Sequence, residues 1–150
     1  MTKYNPGKIQ EYDDVTNAQV YNAALTIAIE IGRLIVSCGY YSIYGDYIKW
    51  WNTLEVIERR MEKKIREAPE IKMLIDNIKQ KYHDDMQEYL YRMGKKKKHI
   101  SAELNNKIKT FLCEYERELI YARDKLGYGI QERINTDYHK PTTMWDKELN

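Results

Sequence analysis

Apolar residues recur at steps of three and four along much of the chain, the spacing that aligns side chains on one face of an α-helix. Three segments keep this spacing, so each predicts an amphipathic helix that turns one face towards a core. The second predicted helix has Tyr47, Trp50, Leu54, Ile57, Met61 and Ile65; the third has Ile71, Ile75, Ile78, Tyr82, Met86, Tyr89 and Met93; the fourth has Leu104, Ile108, Phe111, Tyr115, Leu119, Ala122 and Leu126.

The first predicted helix has a different pattern. It covers residues 17–38, starts with a capping box opened by Thr16, and ends at Gly39. Most of it is apolar all round, so we expect it to be the most buried element. A membrane span is not expected, because the apolar run is shorter than about 18 residues and contains Glu30 and Arg33.

Capping and turn residues separate the predicted helices. Asp46 is placed to cap the second helix, Pro69 suits the first turn of the third, and Ser101 is placed to cap the fourth. Four amphipathic segments joined by short connections predict an all-α fold, an antiparallel four-helix bundle.

The chain has 150 residues, which suits a single domain over 1–150, with a polar lead at 1–14 and a tail at 137–150. The net charge of +2 argues against a protein that coats nucleic acid, because phosphate neutralisation needs a larger basic excess. We expect Cys38 and Cys113 to be free thiols. With a polar start that is unlike a signal peptide, they indicate a cytosolic protein.

Motifs for catalysis are missing from the sequence. The histidines His83, His99 and His139 are far apart, and none has a second ligand at metal-binding spacing. There is no glycine-rich phosphate loop and no G-x-S-x-G nucleophile motif. His83 with Asp84, Asp85 and Glu88 is conceivable as a metal site, but a solvated acidic helix face is favoured. We expect no enzyme activity, no metal and no cofactor.

Four consecutive lysines, Lys95, Lys96, Lys97 and Lys98, form the strongest local charge. They fit a contact with phosphate or with an acidic protein surface. The favoured interpretation is a solvated loop between two helices, because a run of charge by itself says little about function.

The opening Met1-Thr2-Lys3-Tyr4-Asn5-Pro6-Gly7-Lys8, followed by Tyr12, resembles the start of a bicaudavirus family, from spindle-shaped tailed viruses of hyperthermophilic archaea. Members open with a similar Met-x-Lys-Tyr-x-Pro-x-Lys and are helical bundles. The family includes virion structural proteins and an inhibitor that lodges in the DNA-binding channel of the host RNA polymerase. This chain is richer in Lys, Glu and Tyr than the virion members, which favours the inhibitor.

The resemblance implies a viral, non-enzymatic protein of the host cytoplasm that binds archaeal RNA polymerase and inhibits transcription. The alternative is a coat or DNA-packaging protein located in the virion. The polymerase is the expected partner, whereas a small-molecule substrate, a membrane and direct nucleic-acid binding are not expected.

A protein that occupies a basic DNA channel needs acidic surface. The sequence offers Asp84, Asp85 and Glu88 on the third helix, and Glu114, Glu116 and Glu118 on the fourth. Under this hypothesis residues 95–98 contact an acidic rim of the polymerase or remain in solvent.

The missing ligand motifs generate a first prediction. The purified protein should contain no stoichiometric iron or zinc, as measured by elemental analysis. One metal ion per chain would contradict this and would direct attention to His83, Asp84, Asp85 and Glu88.

Overall fold

All regular structure in the described residues is helical. The computed structural model describes the backbone of residues 6–95 and 99–129, and the side chains from residue 23 onwards within those ranges. Six helices follow one another in these ranges: α1 (Pro6–Tyr44), α2 (Tyr47–Arg60), α3 (Glu62–Arg66), α4 (Pro69–Lys81), α5 (His83–Met93) and α6 (Ala102–Lys125). The predicted tail at 137–150 lies outside the described residues.

The chain divides into two compact units. One comprises Met1–Glu30 with Tyr128–Asn150, and the other is Ile31–Gly127. Within the first unit, the described residues include the first part of α1, and the side chains of Ala28 and Tyr128 are buried. The second unit contains the rest of α1 and all of α2 to α6, and it holds every predicted interaction residue that the structure describes.

The predicted bounds of the first helix are wrong at both ends. The helix already runs through Thr16, which is therefore not an N-cap, and it continues past Gly39 to Tyr44. It ends at Gly45, whose φ of 69° is the left-handed conformation that glycine adopts without strain. The amides of Gly45 and Asp46 then bond to the carbonyls of Ser42 and Tyr41 at 3.2 and 2.9 Å, which closes the helix end.

The expectation that this helix is the most buried element is also wrong. Within Ala23–Tyr44, a 22-residue stretch with a mean hydropathy of 1.5, only 17% of the residues in the most apolar window are buried. By length and composition this stretch is able to cross a membrane, so its length does not exclude a span. The earlier expectation assumed a helix that ended at Gly39, although Glu30 and Arg33 do lie within the longer stretch.

The remaining helices follow the predicted pattern with two breaks. Asp46 caps α2 by accepting a hydrogen bond from the Lys49 amide at 3.3 Å, and Ser101 caps α6 through the Leu104 amide at 3.1 Å. The predicted second helix is interrupted at Met61. The predicted third helix is two helices, α4 and α5, because the backbone departs from helical geometry at Tyr82.

Within the second unit, α2, α4–α5 and α6 pack around a shared core. Tyr47 contacts Tyr89 while Glu58 contacts Lys79, so α2 runs antiparallel to α4–α5. The core side chains are the predicted ones on α2 and α3, with Ile75, Tyr82, Met86 and Tyr89 from α4–α5, and with Ile108, Phe111, Leu112, Tyr115, Leu119 and Ala122 from α6. Ile78 and Leu126 are half-buried and Met93 is exposed, so these three predicted core residues are not fully buried.

The two sides of α1 generate a second prediction. Ile31 is fully buried, so Ile31→Ala should lower the free energy of unfolding by roughly 2–5 kcal/mol through lost burial and a cavity. Val36→Ala, at a position that is 69% exposed on the same helix, is the matched control and should change stability little. Urea unfolding measures both. Equal effects would mean that the two sides of α1 are not distinct.

Candidate partner-binding surface

The acidic residues predicted on the third helix lie at the start of α5. Asp84 and Asp85 occupy its first turn, where negative charge is favoured by the helix dipole. Asp84 and Glu88 are exposed, and Asp85 is half-buried. Glu88 already has a cation, because its Oε2 accepts a hydrogen bond from Arg92 Nε at 2.8 Å. Asp84 and Asp85 have no ion-pair partner in the described part of the chain, so they are less committed to internal contacts than Glu88.

Glu114 and Glu118 lie one turn apart on α6 and are both half-buried. Glu114 accepts a hydrogen bond from the Tyr82 hydroxyl at 3.0 Å. Burial raises the pKa of Tyr82, and the Glu114 carboxylate raises it further, so the hydroxyl stays protonated and keeps donating. One oxygen of Glu118, Oε1, is buried without a hydrogen-bond partner among the described residues. Glu114 is thus partly committed to the fold, while Glu118 is only half-buried by it.

Tyr82 connects the joint before α5 to one predicted acidic residue of α6, Glu114. It stands between α4 and α5, directly before the turn that carries Asp84 and Asp85, and its ring packs on Phe111 with centroids 5.3 Å apart. Its hydroxyl donates to Glu114, so this tyrosine links the joint between α4 and α5 to α6. We call Asp84, Asp85, Glu88 and Glu114 the α5 acidic patch.

The basic candidates lie at the other end of α5. Lys95 is exposed, and its Nζ is 5.6 Å from the ring centroid of Tyr91. Lys96, Lys97 and Lys98 lie outside the described residues. The loop is tied back to the helix, because Arg92 donates to the His99 carbonyl at 3.1 Å. About ten residues of helix, roughly 15 Å, separate Asp84 from Lys95, so acidic and basic candidates form two sites.

Sequence reasoning missed a charged network at the centre of the second unit. Lys79 Nζ on α4 lies 2.9 Å from Glu58 Oε1 and 3.7 Å from Glu55 Oε2, both on α2. The fully buried Tyr115 of α6 donates its hydroxyl to Glu58 and lies 3.4 Å from Glu55. The only signal in the sequence was that Glu55 and Glu58 share a face of α2, since their partners are 21 to 60 residues away.

The network shifts the ionisation of its members. Burial, with the charge of Glu58 as the next cause, raises the pKa of Tyr115, so its hydroxyl remains a donor at every ordinary pH. Burial by itself would lower the pKa of Lys79, but the hydrogen bond and charge of Glu58 and the charge of Glu55 outweigh it and raise that pKa. Lys79 is therefore a fixed cation between two carboxylates.

A shallow cleft of about 210 Å³ opens beside this network between α2–α3 and α4. Its walls carry Glu55, Glu58, Glu62, Asp76, Arg59, Arg66, Lys72 and Lys79 over a floor of Ile65 and Ile75. Four acidic and four basic side chains oppose one another, and Lys72–Asp76 and Arg66–Glu62 are ion pairs at 2.7 and 2.9 Å. Such a balanced lining has no net attraction for a small ion of either sign.

A half-buried carboxylate connects α6 to α2. Trp50 Nε1 donates to Glu116 Oε1 at 2.7 Å, so Glu116 faces away from Glu114 and Glu118 and does not belong to an acidic surface. Burial raises the pKa of Glu116, and the hydrogen bond from Trp50 opposes that shift. Burial and the nearby Glu116 raise the pKa of the Cys38 thiol to about 12, which leaves this cysteine protonated and unreactive.

The charged groups of these sites can contact a partner through charge and shape. Among the described side chains, no group of three His, Cys, Asp or Glu residues is placed to hold a metal ion. The exposed Cys113 lies in a cleft with Trp50, Glu116 and Arg117, without a histidine beside it to act as a base. In the α5 acidic patch, Asp84 and Glu88 are exposed carboxylates, Glu88 pairs with Arg92, and Lys81 lies 5.2 Å from the ring of the adjoining Tyr82.

Comparison with models of known protein families, with characterised proteins and with solved structures finds no match for this chain. The proposed function therefore rests on the residues described above, together with the resemblance of the opening motif.

The charged network generates a third prediction. Tyr115→Phe keeps the ring but removes the hydroxyl, so Glu58 loses a buried donor and the free energy of unfolding should fall by about 1–3 kcal/mol. Tyr121→Phe, at an exposed position on the same helix, is the control and should be nearly neutral. Chemical denaturation gives both values, and an equal result for the two variants would show that the hydrogen bond contributes nothing measurable.

Glu116 generates a fourth prediction. Its pKa is raised in the folded state, so the folded protein binds this proton more tightly than the unfolded chain does. The stabilisation from protonated Glu116 is complete below the ordinary value of 4.5 and is lost as pH rises through the raised pKa. Glu116→Gln, which cannot ionise, should therefore gain stability relative to the wild type as pH rises above 4.5.

Unfolding of both proteins across a pH series measures this difference. The exposed Glu67→Gln controls for the loss of one negative charge. A stability difference between the wild type and Glu116→Gln that does not depend on pH would contradict the burial of this carboxylate.

Proposed function

We propose that this protein is a non-enzymatic viral protein that binds the RNA polymerase of an archaeal host in its DNA-binding channel and inhibits transcription. The resemblance of residues 1–8 and Tyr12 to the bicaudavirus family suggests the partner. The observation that carries the proposal is the α5 acidic patch, because its exposed Asp84 and Glu88 are carboxylates that a basic channel would attract.

The proposed mechanism is steric and electrostatic. An antiparallel four-helix bundle, with helices about 30 Å long, would fill space that DNA needs, without any chemical step. Asp84, Asp85 and Glu88 would make the first contacts, because Glu114 and Glu118 are half-buried and Glu114 already accepts a hydrogen bond from Tyr82. Long-range attraction between the patch and the channel would steer the encounter.

A second candidate, a virion structural protein, is favoured by one observation. Val36 and Ile43 of α1 are exposed apolar side chains, as expected of a subunit that makes weak lattice contacts with its neighbours. A structural protein should be present in many copies in purified virions and should self-associate. An inhibitor should be scarce there and should remain a monomer or a small oligomer.

The fifth prediction is an in vitro transcription result with purified host-type polymerase. Inhibition should be stoichiometric, should weaken as added salt screens the attraction, and should be reduced by excess promoter DNA. If a several-fold molar excess of the protein leaves RNA synthesis unchanged, the inhibitor function is wrong and the virion-structural candidate takes its place.

Charge-changing variants locate the contact. Replacing Asp84, Asp85 and Glu88 together by lysine should weaken inhibition more than replacing the four lysines at 95–98 by glutamine. The matched control replaces Glu62, Glu67 and Glu70 by lysine and should leave inhibition close to wild type. It is matched because Glu62 pairs with Arg66 as Glu88 pairs with Arg92. If the variant at residues 95–98 is the weaker inhibitor, the basic loop makes the contact. Circular dichroism confirms that each variant is folded.

A further inference from the structure

The outer face of the C-terminal part of α1 is the largest apolar feature that the second unit leaves uncovered. Ile31 and Cys38 are fully buried on one side of this helix. Val36, Tyr40, Ile43 and Tyr44 follow one another at helical steps on another side and are 69%, 63%, 80% and 76% exposed. We call these four residues the outer α1 stripe. Such an exposed apolar row marks a contact surface.

We propose that the outer α1 stripe is a peripheral membrane-binding surface that lies in the headgroup region of an anionic lipid bilayer. The inner side of α1 stays packed in this arrangement, because a helix can bind in the plane of the interface with only one face immersed. The inference concerns a different surface from the α5 acidic patch and does not depend on the polymerase.

The composition of the stripe fits a lipid interface. Val36 and Ile43 offer purely aliphatic surface to the acyl region. Tyr40 and Tyr44, whose rings stack at 5.9 Å, combine an apolar ring with a hydroxyl that remains among the headgroups. The surrounding helix has the same character, since Ala23–Tyr44 is long and apolar enough to enter a membrane.

The charges beside the stripe favour an anionic surface. From residue 31 to residue 44 the helix has no acidic residue, and its one charged side chain, Arg33, is exposed one turn before Val36. Lys49 is 65% exposed just beyond the end of the helix, in an ion pair at 3.8 Å with Asp46, which is 40% exposed. A lipid phosphate would meet Arg33 beside the stripe and would compete with Asp46 for Lys49.

The area of the stripe favours lipid over a second copy of the chain. Two tyrosines and two aliphatic side chains that are about three-quarters exposed offer on the order of 500 Å². A stable protein–protein interface needs about 800 Å² from each partner. Interfacial insertion has no such threshold, because each immersed side chain contributes by itself.

The test is co-sedimentation of the full chain with vesicles. Protein should bind vesicles of mixed phosphatidylglycerol and phosphatidylcholine and should bind pure phosphatidylcholine more weakly. The double variant Val36→Asn/Ile43→Asn should bind the anionic vesicles at least about tenfold more weakly, since two apolar side chains no longer gain from immersion. Arg33→Gln should reduce the preference for anionic vesicles about fivefold.

Met73→Asn is the matched control, because Met73 is a 60% exposed apolar residue on α4, away from the stripe. It should bind vesicles like the wild type. All variants change exposed side chains, and an unchanged unfolding midpoint confirms that they are folded.

Three outcomes would overturn the proposal. The first is no binding of the wild type to anionic vesicles. The second is equal binding by the wild type and the double variant. The third is a concentration-dependent dimer in sedimentation equilibrium that the double variant abolishes, without vesicle binding; this would make a second copy the occupant and would support the virion-structural candidate.

Discussion

The arrangement of the second unit depends on one buried hydroxyl. Tyr115 lies at the meeting point of α2, α4 and α6, where it donates to Glu58 while Lys79 reaches the same carboxylate from α4. Stacking of Tyr115 on Phe111, with centroids 5.6 Å apart, connects it to Tyr82 and so to the joint between α4 and α5. A buried carboxylate is tolerated only with partners, so these contacts specify how the three helices are placed against one another.

The need of a carboxylate within the fold for partners divides the acidic residues into two groups. Glu55, Glu58 and Glu116 contact internal partners and help to hold the core. Asp84 and Asp85 have no such partner in the described part of the chain, and Glu88 has a partly exposed arginine, whose ion pair adds little stability. An exposed carboxylate that no internal cation neutralises is available for recognition, which is why the α5 acidic patch carries the proposed function.

The apolar residues of α1 divide in a similar way. Ile31 and Cys38 are buried, whereas the outer α1 stripe faces solvent and is larger than an isolated apolar residue would explain. The two proposed contacts depend on different interactions. The α5 acidic patch would bind through electrostatic attraction that salt screens, and the outer α1 stripe would bind by burying apolar side chains in lipid. Each can be lost without the other, so the two surfaces can be assigned independently.

Local patterns determined much of the fold. The three- and four-residue spacing identified most of the buried residues of α2, α3 and α6, with Leu112 missed, because periodicity in the sequence maps directly onto one side of a helix. Asp46 and Ser101 were recognisable as caps, since a cap bonds to an amide only three residues away.

The tertiary structure decided what depends on distant residues. The sequence predicted that the first helix stops at Gly39, but α1 continues to Tyr44. One glycine costs a helix only about 1 kcal/mol, and the residues that follow it sustain the helix. The break at Tyr82 coincides with contacts to Phe111 and Glu114, which no local pattern contains. The sequence by itself determined which faces are apolar and where the charges lie along the helices. Only packing decided which of those faces and charges are covered, because burial depends on neighbours that are distant in the chain.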